Sequence, residues 1–152
     1  MTIIAVLGFP RSGKSTWLSQ QYQYLRSRGA SFFVQRACPD GEGQWVFESQ
    51  NGKSLRVKGK FDEVFVKWVV ESAVNLAKVF QLVYLDCGGR QSEENRRIIS
   101  IADEAIIIGK SLEDLESWAG FVRGVKNIPL KFYLSRVVDG NIAYIPVELE
   151  WR

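Results

Sequence analysis

Lys14 and Ser15 close the stretch Gly8-Phe9-Pro10-Arg11-Ser12-Gly13-Lys14-Ser15, whose spacing fits the phosphate-binding pattern G-x-x-x-x-G-K-[ST]. Each residue type answers a chemical need. Glycines let the backbone curl so that successive N–H groups point inward, and a helix opening directly afterwards adds its unpaired N–H groups and positive dipole end at the same spot. By the pattern, Lys14 reaches the β- and γ-phosphates, the Ser15 hydroxyl ligates Mg²⁺, and the backbone from Arg11 through Ser12 and Gly13 to Thr16 surrounds the phosphates. A second constellation lies far along the chain, where the apolar run Leu82-Val83-Tyr84-Leu85 ends in Asp86 and is followed by Cys87-Gly88-Gly89. A carboxylate at the tip of a buried strand suits Mg²⁺ or its water shell, so Asp86 joins Ser15 as a candidate metal ligand. Asp86 to Gly89 also reads D-x-x-G, an arrangement that brings the Gly89 N–H near a γ-phosphate. Arg90, Arg96 and Arg97 follow, and any one of them carries the charge to stabilise a transferring phosphoryl group. Arg90 stands nearest the strand end and is grouped with Lys14 and Asp86 as a candidate catalytic residue, although the sequence alone does not choose among the three arginines.

These residues need elements to hold them. Ile3-Ile4-Ala5-Val6-Leu7 reads as a buried strand leading into the loop, and a helix from Lys14 to about Arg28 stops at Gly29. Ser31 to Arg36 is a second strand, which delivers Ala37-Cys38-Pro39-Asp40-Gly41-Glu42-Gly43-Gln44-Trp45 to the carboxyl edge of the sheet, where open α/β sheets bind ligands. Arg36, Asp40 and Glu42 are the candidate acceptor site. Trp45 to Glu48 and Ser54 to Lys58 alternate around Asn51-Gly52 and read as a hairpin, with Lys53, Arg56, Lys58 and Lys60 either gripping RNA or a nucleotide or protecting a ribbon edge. Between Asp62 and Phe80, the residues Phe65, Trp68, Val69, Ala73, Leu76 and Phe80 recur at helical spacing as a stripe packed on the sheet. Ser92, with Glu93 and Glu94, starts a helix to about Ala102, Glu104 to Ile108 is a strand, and Ser111 opens a helix to about Gly124. Leu130 to Leu134 is a fifth strand, after which Ile142 to Ile145 adds an edge strand or covers the sheet. This alternation specifies α/β architecture: a three-layer α/β/α sandwich around a central parallel sheet, the first strand in the middle and the Asp86 strand beside it.

At 152 residues and 46% hydrophobic, the chain suits a single domain over 1–152 with an inserted loop and hairpin at about 37–60. A net charge of +3 suits an anionic ligand without the dense basic face that argues for nucleic acid alone. With no histidine and only Cys38 and Cys87, the usual parts of a zinc site or a His-based triad are missing. Two widely spaced cysteines suit free thiols in a reducing compartment, and the run Ile3 to Leu7 is too short for a signal peptide or membrane span, so a cytoplasmic protein with no membrane partner is expected.

The loop, the D-x-x-G strand end and above all Arg36 to Trp45 resemble the P-loop ATPase-like domain fused to ring nucleases in type III CRISPR systems, within the P-loop NTPase superfamily. The resemblance covers most of the chain and implies an ATP-binding accessory module acting beside a CRISPR-associated ring nuclease or its cyclic oligoadenylate. Met1 stands seven residues before the loop, so nuclease activity is not expected to carry over. On the residues themselves, three functions stay open. The first is a Mg²⁺-dependent protein that hydrolyses ATP or transfers its γ-phosphate; the second is a small-molecule kinase; the third is a regulatory module that binds a nucleotide or RNA signal without turning it over. ATP is favoured over GTP because no Asn-Lys-x-Asp base-reading motif occurs late in the chain. Whether the chain forms a homo-oligomer is open.

Overall fold

The computed structural model describes residues 1–38 and 62–149. The expected hairpin between Trp45 and Lys58, with Asp40 and Glu42 before it, lies outside the described residues. In chain order the elements are β1 (Thr2–Leu7), α1 (Lys14–Ser27), β2 (Phe32–Arg36), α2 (Glu63–Leu76), β3 (Leu82–Asp86), α3 (Glu93–Ile99), β4 (Glu104–Gly109), α4 (Leu112–Arg123), β5 (Leu130–Val138) and β6 (Asn141–Val147).

The strands form one sheet in the order β2-β3-β1-β4-β5-β6, parallel throughout except for β6, which runs antiparallel to β5. Central strands buried on both faces must be apolar at every position, and β1 shows why its run is continuous: Ile3, Ala5 and Leu7 join one core, while Ile4 and Val6 join the other. The first core is closed by α2, α3 and α4 through Val66, Val69, Ala73, Ile98, Ile99, Leu115 and Trp118. The second is closed by α1 through Trp17, Leu18 and Tyr22. The sandwich therefore has the three expected layers.

Handedness explains the unequal split of helices. A crossover between parallel strands is right-handed, so reversing the direction of travel across the sheet moves the connecting helix to the opposite face. From β1 to β2 the chain moves one way, with α1. From β2 through β3 and β4 to β5 it moves the other way, with α2, α3 and α4. The connections leaving the neighbours β1 and β3 thus diverge to opposite faces, which opens a crevice at their carboxyl ends. The phosphate loop follows β1 and Asp86 ends β3, so topology delivers both candidates to that crevice.

Three local expectations need correction. The α2 stripe is centred on Val66, Val69 and Ala73, all fully buried, whereas Trp68 is 49% exposed and packs on Phe65 at 5.7 Å. Successive helical residues turn by about 100°, so the 66–69–73 row leaves Trp68 on the flank. The same helix ends at Leu76 instead of running to Phe80, closing in a turn in which Phe80 N–H donates to Leu76 at 2.8 Å and the Phe80 ring meets Phe33. Finally, β5 runs on past Leu134 to Val138 and turns through Asp139 (φ 51) and Gly140 (φ 79) into β6. Asp-Gly is the short-turn signal for a hairpin, because both residues accept positive φ. The tail is an edge strand.

Candidate functional site

Each helix begins with N–H groups that have no partner inside the helix. In α2, α3 and α4 the side chains of Asp62, Ser92 and Ser111 accept a hydrogen bond from the third helical residue, and acids occupy the first turn. By contrast, α1 starts at Gly13 with no side-chain cap and no acid in its first turn. Its positive end is left for something else, and Ser15 and Thr16 on it are exposed.

The loop before α1 is tightly constrained. A Cβ at Gly8 would fall 2.4 Å from the Ile108 carbonyl and 2.7 Å from Ser12 Oγ, so only glycine fits there. Ser12 N–H closes a turn on the Phe9 carbonyl at 3.2 Å. Arg11 (φ 64) and Gly13 (φ 91) both lie in the left-handed region, and for Arg11 that conformation costs on the order of 1–3 kcal/mol, held by the surrounding fold. Ser12 is buried, and its Oγ has no hydrogen-bond partner among the described residues.

Lys14 and Asp86 meet across the crevice. Lys14 Nζ lies 3.2 Å from Asp86 Oδ1 and donates a short hydrogen bond to the Cys87 carbonyl; the Lys14 side chain is 14% exposed and that of Asp86 2%. Burial alone would lower the Lys14 ammonium pKa, but the Asp86 charge, with smaller contributions from Cys38, Cys87 and the Asp86 hydrogen bond, holds it above the ordinary lysine value. Burial pushes the Cys87 thiol up despite the opposing Lys14 charge, so Cys87 is a neutral thiol at pH 7. The working partner of Lys14 is therefore Asp86.

The turn after Asp86 is pressed against the loop. A Cβ at Gly89 would lie 2.7, 2.8 and 2.9 Å from Pro10 Cδ, Cγ and N, so Gly89 is where two loops touch. Asn95, fully buried at the start of α3, donates through Nδ2 to the carbonyls of Gly88 at 2.9 Å and Arg90 at 2.6 Å, while its Oδ1 has no partner among the described residues. Arg90 is exposed beside this turn. Arg96 is occupied elsewhere, stacked on Phe121 at 4.7 Å and 3.7 Å from Glu93. Arg36 ends β2 in register with Asp86 and lies over the Phe65 ring at 5.7 Å.

Thus Arg11, Ser12, Gly13, Lys14, Ser15 and Thr16 lie along one loop and helix start. Asp86, Gly89 and Arg90 stand on the adjacent strand end, and Arg36 on the next. Asp40 and Glu42 lie outside the described residues. Asn95, Ser135 and Tyr144 were not among the sequence candidates. Ser135 Oγ donates to the Ser12 carbonyl at 2.7 Å and the Tyr144 hydroxyl to that of Gly13. Burial raises the Tyr144 phenol's pKa, opposed by hydrogen bonds involving Thr16 and the Trp17 backbone, so it is a neutral donor at pH 7. The Asp139-Gly140 turn could have announced the β5–β6 hairpin, but nothing short-range marks a buried Asn or Ser as the partner of a distant carbonyl.

No family model and no curated protein matches the chain by sequence. Solved structures do match in shape. The cell division protein MinD of Aquifex aeolicus aligns with TM-score 0.64 and 12% identity, over 91% of this chain and 70% of its own. Cobyrinic acid a,c-diamide synthase of Mycobacterium smegmatis, with bound ATP analog and magnesium, gives 0.61 and 14%, over 87% and 70%. A nucleotide-binding protein of Archaeoglobus fulgidus in complex with ADP gives 0.57 and 15%, over 95% and 72%. The chain has a P-loop NTPase fold. Within that fold, the loop from Gly8 to Ser15 occupies the position its sequence pattern implies, at the β1–α1 junction. Among the described residues no helix is long and apolar enough to cross a membrane.

Proposed function

We propose that the chain binds a nucleoside triphosphate, ATP in preference, with Mg²⁺ in the crevice between β1 and β3. One observation carries this reading: the motif lysine, Lys14, and the strand-end carboxylate, Asp86, are in contact, although they come from separate sequence signals. The surroundings fit a polyphosphate with a divalent ion. An uncapped helix start and a buried Ser12 Oγ with no partner among the described residues leave donors for an anion, Gly8 and Gly89 let the two loops pack closely around them, and Asp86 lies beside them. Among the described residues no group of three or more His, Cys, Asp or Glu could hold a metal alone. Mg²⁺ is commonly held by one or two protein oxygens together with phosphate oxygens and water, so Ser15 and Asp86 suffice as the protein's share. When bound, the ion withdraws negative charge from the phosphate oxygens.

In this reading the N–H groups from Arg11 to Thr16 hold the phosphates, and Lys14 exchanges part of its contact with Asp86 for phosphate oxygens. Gly89 presents its N–H at the γ-phosphate side, and Arg90 supplies exposed positive charge next to it. Arg36, in register with Asp86, faces an acceptor. Hydrolysis or phosphotransfer is the enzymatic form of the proposal; the ATP-bound but inactive regulatory form differs in lacking turnover. The narrower setting is an accessory role beside a CRISPR-associated ring nuclease in the cytoplasm, supported only by the sequence resemblance that Arg36 to Trp45 carries above all.

Titration calorimetry with ATP and Mg²⁺ tests the core of the proposal. Lys14→Ala is expected to weaken binding at least about tenfold, the range for a hydrogen bond to a charged group. Unchanged affinity in that variant would sink the phosphate-loop assignment. Product separation after incubation with labelled ATP and GTP, with and without cyclic oligoadenylate, divides the rest. Phosphate release without an acceptor indicates an ATPase, consumption only with an acceptor indicates a kinase, and a rate unmoved by cyclic oligoadenylate removes the narrower setting.

A further inference from the structure

Two successive peptide units of the phosphate loop, Ser12–Gly13 and Gly13–Lys14, are held from behind by hydroxyls on the β5–β6 hairpin. Ser135 and Tyr144 face each other in the antiparallel register. Ser135, buried, donates to the Ser12 carbonyl at 2.7 Å and lies 3.4 Å from that of Gly109. Its single hydrogen goes to the nearer acceptor. Tyr144 donates to the Gly13 carbonyl, which already accepts the Trp17 N–H of the first helical turn at 3.0 Å. Hairpin and loop are in contact: a Cβ at Gly13 would lie 3.2 Å from the Tyr144 oxygen and 3.5 Å from Ser135 Cβ.

A trans peptide unit is planar, with its N–H directed opposite to its C=O. Fixing the Ser12 carbonyl therefore fixes the Gly13 N–H, and fixing the Gly13 carbonyl fixes the Lys14 N–H. Both are therefore directed away from the hairpin hydroxyls. The tether matters because the joint is a glycine. A flip of the Ser12–Gly13 unit swings φ of Gly13 between signs, which glycine tolerates at little steric cost, so the loop sequence alone leaves the direction of that N–H undecided.

We propose that Ser135 and Tyr144 are positioning residues for phosphate binding, each holding one carbonyl so that the Gly13 and Lys14 N–H groups face a bound polyphosphate. The role rests on the phosphate-loop reading above. It assigns the antiparallel hairpin a function beyond closing the sheet edge, and the ligand it serves is a diphosphate or triphosphate group whatever base is attached.

The test is calorimetric titration of inorganic pyrophosphate, and separately ADP, into wild type, Tyr144→Phe, Ser135→Ala, Ser135→Thr and the Ser135→Ala/Tyr144→Phe pair, well below their unfolding transitions. Tyr144→Phe and Ser135→Ala are each expected to weaken both ligands by a common factor of about fivefold to tenfold, as for one hydrogen bond lost. The pair should weaken them further, and Ser135→Thr, which keeps the hydroxyl, should restore binding. In the ligand-free protein the backbone ¹H–¹⁵N resonances of Gly13 and Lys14 should shift in Tyr144→Phe and Ser135→Ala. A purely structural role lowers the unfolding temperature and leaves both affinities unchanged, and that result would overturn the proposal. If wild type binds neither pyrophosphate nor ADP, the phosphate-loop reading falls and this role with it. If wild type binds and neither single variant loses affinity, the positioning role alone is refuted.

Discussion

Replacing Asp86 by Asn removes one charge from a pair that the fold has buried. With Lys14 Nζ 3.2 Å from Asp86 Oδ1 and side-chain exposures of 14% and 2%, the attraction is about 5 kcal/mol at an effective dielectric of 20. Stranding a buried charge by deleting its partner destabilises a protein by about 3–5 kcal/mol. The lower end applies, because an amide oxygen can still accept from Lys14 and the Cys87 carbonyl keeps its own hydrogen bond. A loss of about 3 kcal/mol in a chain of this size lowers the unfolding temperature by roughly 6–12 °C, measurable by scanning calorimetry without ligand. The same substitution should act oppositely on the nucleotide. At the proposed nucleotide site, Lys14 would give up contact with Asp86 to meet phosphate and Asp86 would give up contact with Lys14 to meet Mg²⁺, so each ligand would ease entry of the other. Asp86→Asn is therefore expected to bind ATP in EDTA more tightly than wild type and to gain little when Mg²⁺ is added. An unfolding temperature within about 2 °C of wild type, a shift worth under about 1 kcal/mol, would refute the energetic argument. Full retention of the Mg²⁺ enhancement would refute the coupling.

Alkaline pH gives a related test. Lys14, Tyr84 and Tyr144 all have pKa values raised above their ordinary ones, so the folded state holds these protons more tightly than the unfolded chain. Their stabilisation is complete below about pH 10 and is lost as pH rises through the folded values; an unfolding temperature that stays level above pH 10 would contradict this. Gly89→Ala places a methyl group 2.7–2.9 Å from Pro10, and overpacking of this kind should destabilise by about 1–3 kcal/mol and weaken ATP binding in the same variant. Wild-type affinity there would show that the two loops part freely. Asn95→Ala deletes both hydrogen bonds to the Gly88–Arg90 turn and should cost about 2 kcal/mol by chemical denaturation, with faster amide exchange at Gly89 than in wild type. Unaltered exchange would show that the turn is held by Pro10 instead.

The phosphate loop, the Asp86 strand end and the caps at Ser92 and Ser111 are legible in the sequence because each is a short-range pattern with a local cause. The doubly buried run Ile3 to Leu7 marks a central strand for the same reason. Other features depend on where distant segments land. Trp68 and Val66 differ by two positions, and only the orientation of α2 against the sheet decides that Val66 is buried. The hydroxyl of Ser135 gains its meaning from the Ser12 carbonyl, 123 positions away. Asn95 looks like an ordinary polar residue in a first helical turn until the Gly88–Arg90 carbonyls are seen to converge on it. The arginines divide in the same way: Arg96 is taken up by Phe121, a partner visible only once α3 and α4 pack together.

The placement of β1 between β3 and β4 also has a kinetic consequence. Lys14 and the Cys87 carbonyl are 73 positions apart, and β3 lies between β1 and β2 in the sheet although it follows both in the chain, so the crevice depends on contacts of high sequence separation. Closing such loops is slow, and no early local structure can stand in for them. A refolding chain should therefore acquire polyphosphate binding only at its final cooperative step. Nucleotide supplied during refolding should leave the folding rate unchanged and slow the unfolding rate, making the site a marker of complete assembly.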